Sequence, residues 1–287
     1  MKPSAFEYVR PASLGEALRA LSRHRDNARI LAGGQSLVPM MNMRVVHPAT
    51  LIDINRVPGL ADIAVKGDAL VIGALARHTQ LLESPLVAQH CPLMAEAYPH
   101  VAHKPIRNRG TIGGNISHAD PASEMPAVLL ASDAVIVARS ATAERSIAAR
   151  DFFTGAMQTA LAADEMVVEI RIPAAPAARG SAFEEEANRK GDFAMAAVAV
   201  TVDVKGGKCT SATVAVAGMG DRSVRLAAVE GHLQGKAVGD ALAAEAAKLA
   251  AKSVDPSPSY HADVQYKRDL VEALTERALR RAFARAR

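Results

Sequence analysis

The 287-residue chain has no tryptophan, only six phenylalanines and only four tyrosines. So sparse an aromatic set does not build a groove on which many nucleic-acid bases stack. Cysteine is almost as scarce. Cys91 and Cys209 lie far apart, in no ligand-like spacing, which excludes a disulfide framework or a zinc site and suits a reducing interior. Nor do two thiols ligate an iron–sulfur cluster, which takes four. Long hydrophobic runs are missing as well. The most apolar stretch, Ala194–Val202, is far too short to span a bilayer, and Met1–Glu7 offers no apolar segment of a signal peptide. The expectation is a cytoplasmic protein without a membrane span. The usual nucleotide fingerprints, G-x-G-x-x-G and the P-loop, are absent. Ser36 and Ser117 sit in no G-x-S-x-G elbow, so a hydrolase reading fails.

What is present is ordinary for a globular fold: hydrophobic residues make 49% and charged residues 22% of the chain, enough to exclude disorder. The length allows two domains. The net charge is +4, with much of the excess at Lys267, Arg268, Arg277, Arg280, Arg281, Arg285 and Arg287. Those cations share a helical segment with Leu270, Leu274, Ala278 and Ala282 and read as a solvated helix face, without a nucleic-acid recognition motif.

Ser13-Leu14-Gly15-Glu16 reads as a capping box, opening a helix whose buried face carries Leu14, Ala17, Leu18 and Leu21. Strands are expected at Arg29–Ala32 and Leu51–Ile54, giving a small βαβ unit over the first 55 residues. A second layer begins at Leu70–Gly73, with helical stretches at Thr79–Leu82 and Leu93–Ala97 and strands at Ala134–Ala138 and Val167–Ile172. Between them, Ala102–Asn115 reads as a long polar loop. Pro173, Pro176 and Gly180 mark the best domain boundary. Beyond it, strands Ala194–Val204 and Thr210–Ala217 meet at the turn Gly206-Gly207, and helices follow at Val224–Gln234, Ala241–Lys252 and from Val264, an α+β pattern.

Two double-glycine segments stand out: Ala32-Gly33-Gly34-Gln35-Ser36-Leu37, after a strand, and Thr111-Ile112-Gly113-Gly114-Asn115, closing the polar loop. Paired glycines permit positive φ and close approach of amides to a ligand, and consecutive amides form an anion nest suited to a diphosphate. Either segment alone reads as a tight turn; together, with polar flanks, they point to a cofactor. Met40, Met41 and Met43 are expected to fill space beneath the first segment. Arg107 and Arg109 fit either an anion or a subunit contact. His100, His103 and His118 match no zinc pattern and read as loop histidines.

These two segments resemble the FAD diphosphate-binding segments of the medium subunit of molybdenum hydroxylases, the carbon monoxide dehydrogenase and xanthine dehydrogenase type. The resemblance continues through Ile106–Gly110, Ala119–Pro126, Asp151–Phe153, Ile170–Pro173 and Arg189–Phe193, covering nearly the whole chain. It implies an α+β protein: a two-subdomain, PCMH-like FAD-binding fold over residues 1–176 (subdomains about 1–57 and 58–176), then a smaller α+β domain over 177–287 closing over the flavin. It also implies an electron-transfer role, without substrate chemistry in this chain. [2Fe-2S] clusters on a small subunit and molybdopterin on a large subunit would be the partners, in a dimer of heterotrimers. A self-sufficient flavin oxidase is the alternative. Carried over by residue, Ala32, Gly33, Gly34, Gln35 and Ser36 would hold the diphosphate and ribitol, and Thr111, Ile112, Gly113, Gly114 and Asn115 would face them. Glu124, where relatives usually have Asp, or Asp120 would offer a carboxylate. Ile172 or Ile170 would meet the ring system through the backbone, and Phe193 would lie against it where relatives often carry Tyr. Many relatives have a lysine in the segment matching Phe183–Glu186, so Lys190 or Arg189 would supply the positive charge here.

Overall fold

The computed structural model describes residues 1–287, which are arranged around three main sheets. The first is β1 (Glu7–Val9), β2 (Ala28–Leu31) and β3 (Thr50–Asp53), in the order β1-β3-β2 and parallel throughout. Parallel neighbours need crossover connections, supplied by α1 (Leu14–His24) and α2 (Leu37–Asn42). Ser13 caps α1 as expected, its side chain accepting from the Glu16 amide, while the Glu16 carboxylate accepts from Ala12 N at 2.8 Å. Ala17, Leu18 and Leu21 are buried on the sheet. The sequence reading missed β1, whose pattern is too short to show a period.

The middle sheet is antiparallel, in the order β4-β5-β10-β6-β7. It comprises β4 (Ile63–Lys66), β5 (Ala69–Gly73), β6 (Val135–Arg139), β7 (Glu144–Ala148) and β10 (Met166–Pro173). Short helices α3 (His78–Leu82), α4 (Pro85–His90), α5 (Pro92–Ala97), α6 (Lys104–Arg107) and α7 (Ile112–His118) follow β5. Then comes α8 (Glu124–Ala131), every residue of which is buried. A helix apolar on all sides belongs inside the molecule. The connection from β7 to β10 holds α9 (Ala149–Phe152) and the hairpin β8 (Phe153–Gly155) and β9 (Gln158–Thr159).

The third sheet is antiparallel: β11 (Gly180–Ala187), β12 (Ala194–Lys205), β13 (Lys208–Ala217) and β14 (Val224–Arg225), followed by α10 (Ala227–Leu233), α11 (Asp240–Ser253) and α12 (Val264–Arg285). In β12, Ala197 and Ala199 face the core shared with α8, whereas Ala196, Val198, Val200 and Val202 face the core under α10–α12. Ala215 and Ala217 of β13 repeat the small-residue face, which lets α8 lie close. The core around α8 therefore runs continuously from the middle sheet to the third, across the Pro173–Gly180 connection.

Two expectations about side chains change. Only Met41 of the three clustered methionines is deeply buried, while Met43, just past the short α2, is exposed. The C-terminal cations are not simply solvated, because α12 crosses β11 and approaches α5. Arg281 bonds both Glu96 and Glu184, Arg285 donates to Glu96 Oε2 at 2.7 Å, and buried Lys267 donates to the Gly218 carbonyl at 2.9 Å.

Candidate functional site

The first glycine segment leaves β2 at the carboxyl end of the parallel sheet, where open α/β sheets hold their ligands. Gly34 has φ +73°, a left-handed conformation that favours glycine. Gly33 is required for another reason: a Cβ there would come 2.4 Å from the Arg109 carbonyl oxygen and 2.8 Å from Gly110 Cα. The amides of Gly33, Gly34, Gln35 and Ser36 donate to no group of the chain, the arrangement of an anion nest. The Gln35 side chain folds back onto the Gly33 carbonyl at 3.1 Å.

The second segment differs from the expected glycine turn. Ile112–Asn115 form the first turn of α7, capped by Thr111, whose Oγ1 accepts from Gly114 N at 3.0 Å. The other amides of this turn are also occupied: Ile112 N by Ala76 O, Gly113 N by Ala74 O, and Asn115 N by Thr111 O. Gly113 serves close packing, since a Cβ would lie 2.6 Å from the Ala74 carbonyl oxygen. A Cβ on Gly114 would point toward Thr111 Oγ1 at 2.9 Å and the Ala32 side chain at 4.0 Å, so this glycine faces the first segment. Asn115 donates to Ser123 Oγ at 2.8 Å, but its buried Oδ1 has no partner. An unmet buried acceptor costs about 1–3 kcal/mol. The two segments are thus facing walls, one of free amides and one presenting side chains, and a diphosphate ligand such as that of FAD fits the donor set.

Three residues that sequence reasoning missed tie the walls together. Asn55 Nδ2 donates to Ala32 O at 2.8 Å, and Arg77 donates through one nitrogen to Asn55 Oδ1 at 2.6 Å and through the other to Arg109 O. His78 packs beneath Gly110 and is pushed down to about 4, by burial first and then by Arg107 and Arg77, so it is neutral. Asn55, two residues past Asp53 at a strand's carboxyl end, carried a readable signal; Arg77 and His78 did not.

The remaining candidates scatter. Asp120 Oδ1 accepts from Ala122 N at 2.9 Å, bracing the turn before α8. Glu124 is 3% exposed, and burial, followed by Glu185, pushes its carboxyl up to about 8. It is therefore a neutral, enclosed acid rather than an available carboxylate. Ile170 is flanked by strands on both sides. Ile172, 1% exposed, lines a small cavity with His90, Cys91 and Ser132. It lies four residues along β10 from Val168, whose carbonyl meets Ala74 beside α7, a run of roughly 13 Å at strand rise. The structure does not bring Ile172 to the glycine segments. Lys190 and Phe193 lie exposed on the β11–β12 turn, Phe193 at 58%, and Ala194 N anchors that turn to Ala122 O at 3.2 Å. Glu184 pairs with Arg277 and Arg281, and Glu185 lies 3.7 Å from the His100 ring, whose pKa its hydrogen bond raises, so these acids have partners within the chain. Arg107 donates through one terminal nitrogen to Val101 O at 2.8 Å and Ala102 O at 2.6 Å, pinning its own loop, while its buried Nε has no partner. No group of three or more His, Cys, Asp or Glu is placed to hold a metal, and no helix is long and apolar enough to cross a membrane.

Comparison with known proteins gives one answer along the whole chain. Residues 4–175 match the FAD binding domain in molybdopterin dehydrogenase, and residues 181–282 match the CO dehydrogenase flavoprotein C-terminal domain. The chain is 42% identical to the 6-hydroxypseudooxynicotine dehydrogenase complex subunit alpha of Paenarthrobacter nicotinovorans, over 100% of this chain and 97% of that protein. It is 37% identical to the carbon monoxide dehydrogenase medium chain of Hydrogenophaga pseudoflava, over 99% of each. Among solved structures, carbon monoxide dehydrogenase from Hydrogenophaga pseudoflava aligns with a TM-score of 0.97 at 39% identity, covering 100% of both chains. Quinoline 2-oxidoreductase from Pseudomonas putida 86 aligns with a TM-score of 0.95 at 36% identity, covering 100% of this chain and 99% of that one. This chain is a member of the FAD-binding medium-subunit family of the molybdenum hydroxylases.

Proposed function

We propose that this chain takes electrons from iron–sulfur clusters on a small partner subunit and passes them through FAD to an external acceptor, while a large molybdopterin subunit oxidises the substrate. The observation that carries the reading is the pair of facing walls, free amides at Gly33–Ser36 opposite Thr111, Gly114 and Asn115, in a chain whose only two cysteines are buried and separate. Such a chain has a place for a dinucleotide and none for a four-thiolate cluster. FAD, when bound, supplies a two-electron store that exchanges with one-electron carriers. In this reading the Gly33–Ser36 amides hold the diphosphate, with Ala32 and Gln35 shaping that wall. Ile112 and Gly113 set the opposing helix turn, and Asn115 Oδ1 takes a donor from the cofactor. Phe193 and Lys190 reach the flavin end, where Lys190 gives positive charge. Asp120, rather than the enclosed Glu124, is the carboxylate nearer to cofactor hydroxyls. Lobes of about 1–57 and 58–176 clasp the cofactor, and 177–287 closes over it. The assembly is a cytoplasmic dimer of heterotrimers. Relatives of one fold belong to complexes named for carbon monoxide, quinoline and a nicotine derivative, which supports placing substrate choice on the large subunit.

Neither glycine segment contains His or Cys, so FAD is expected to be noncovalent, about one per chain. Acid precipitation of the purified protein should release it, identified by chromatography; a colourless protein that takes up no added FAD would refute the reading. Affinity purification from the native host should recover iron and molybdenum with two further chains. A chain recovered alone, free of both metals yet fully active on an organic substrate, would instead favour the self-sufficient oxidase.

A further inference from the structure

One wall of the cleft leaves the parallel sheet and the other is the first turn of α7, packed on the middle lobe, so something must set the distance between them. Backbone contacts hold one side: Arg77 bridges Thr111, and His78 N donates to Gly110 O at 3.1 Å. Both of those lie within the middle lobe, however, and fix only the second wall. The link to the first wall is a chain of side-chain bonds. It runs from the Ala32 carbonyl to Asn55 Nδ2, from Asn55 Oδ1 to one terminal nitrogen of Arg77, and from the other terminal nitrogen to the Arg109 carbonyl. That same carbonyl is the atom against which Gly33 is pressed. The network therefore begins one residue before Gly33 and ends on the group that Gly33 touches.

Each member is itself held. Asp53 Oδ1 accepts from both the backbone amide and Nδ2 of Asn55, at 2.9 and 2.6 Å, and Tyr8 donates to the other oxygen of Asp53. The half-buried Arg77 guanidinium is balanced by Asp53 and opposed by Arg109. Two of its five N–H groups, one on each terminal nitrogen, are committed to acceptors within the chain, which fixes the plane and direction of the fork. A guanidinium is a planar, rigid fork, suited to spanning two fixed acceptors; a lysine ammonium concentrates its donors at one point.

We propose that Arg77, braced by Asn55 and Asp53, is a positioning residue that sets the width of the cleft between the Ala32–Ser36 and Arg109–Asn115 walls. It acts through the backbone and touches no cofactor atom. The inference rests on the FAD reading for its functional consequence, but the spacing itself is a property of the flavin-free chain.

The test uses the full chain, stripped of flavin and titrated with FAD, as wild type, Arg77→Ala, Arg77→Lys and Asn55→Ala. The dissociation constant is expected to rise about tenfold or more in all three variants, the loss of one or two charge-assisted or buried hydrogen bonds. Added guanidinium ion should recover part of the affinity of Arg77→Ala alone. In the flavin-free chain, hydrogen exchange of the variants should rise at the bonded amides that hold each wall, Val38 (to Gly34 O) and Ile54 (to Leu31 O) for the first and Gly110 (to Ile106 O) and Ile112 (to Ala76 O) for the second, while α11 and α12 exchange as in the wild type. Wild-type affinity in Arg77→Lys would overturn the proposal, since charge rather than the fork would then suffice. Unchanged exchange at both walls in Arg77→Ala would also overturn it, as would faster exchange throughout the molecule, which marks a general structural role. If the wild-type chain itself binds no FAD, the cofactor reading fails, and the exchange measurement still decides whether Arg77 joins the walls.

Discussion

Gly33→Val should yield a folded, colourless chain whose affinity for FAD is lower by about 100-fold or more. The atoms that a Cβ would strike are both backbone: the Arg109 oxygen at 2.4 Å and Gly110 Cα at 2.8 Å. No rotamer change clears them, so the walls must part. Overpacking of this kind costs about 1–3 kcal/mol, and each 1.4 kcal/mol is a factor of ten in affinity. The displaced wall also misaims the Gly33–Ser36 amides, so the upper end of that range applies. Gly231→Ala is the matched control. It sits on the exposed face of α10 with nothing within 4 Å of the added Cβ, and it should leave FAD affinity alone while adding up to about 1 kcal/mol of stability. Equilibrium titration with FAD and a thermal melt of each flavin-free chain separate binding from folding. Normal flavin content and affinity in Gly33→Val would mean that the two segments do not form one cleft.

The collision shows how far the sequence could be read. Gly33-Gly34 and Gly113-Gly114 are visible as pairs, and the strand before the first pair follows from Arg29–Ala32. The reason for each glycine is not local, however. Only Gly34 has a positive φ; Gly33 and Gly113 are required by backbone passing close by from Arg109 and Ala74, both distant in sequence. The second pair looked like a turn because glycine is a poor helix former, yet the Thr111 cap and packing on Ala74 hold it helical. Strand β12 was legible as the continuous apolar run Ala194–Val200, which follows from burial on both of its faces. By contrast, the three-residue β1 offers no period to detect. Arg77 escaped notice because its partners, Asn55 and Arg109, meet only in the folded chain. Glu124 was legible as a carboxylate, but its charge state was hidden, since that depends first on its burial in α8 and then on Glu185 arriving from the third sheet.

Replacing Glu124 with Gln should make the protein less sensitive to alkali, with a gain that grows with pH. Glu124 is 3% exposed at the start of α8. Burial first, and the neighbouring Glu185 second, raise its carboxyl from an ordinary 4.5 to about 8. The groups facing it are Glu185, whose Oε2 has no partner, His100, Asp120 and Tyr98, whose hydroxyl also lacks a partner. None is a fixed cation in contact with the carboxylate, so burial and Glu185 outweigh the opposing pull of a backbone hydrogen bond and of His100. Because the folded value lies above the unfolded one, the folded chain keeps a proton that the unfolded chain releases. The stabilisation from that proton is complete below about pH 4.5 and is lost as pH rises toward about 8. The slope is about 1.4 kcal/mol per pH unit, for a total on the order of 4 kcal/mol. His100, raised mainly by its hydrogen bond to Glu185, loses its contribution in the same direction as it deprotonates and will remain in the variant. Wild type and Glu124→Gln should therefore unfold at similar urea concentrations in mild acid and separate progressively toward about pH 9, the variant being the more resistant. The carboxyl should also be detectable as a protonated acid by infrared difference spectroscopy at neutral pH, in a band that Glu124→Gln removes. Unfolding curves that stay parallel over the whole range would show that Glu124 is already ionised in the folded chain, and that a cation or ligand reaches it from the cleft.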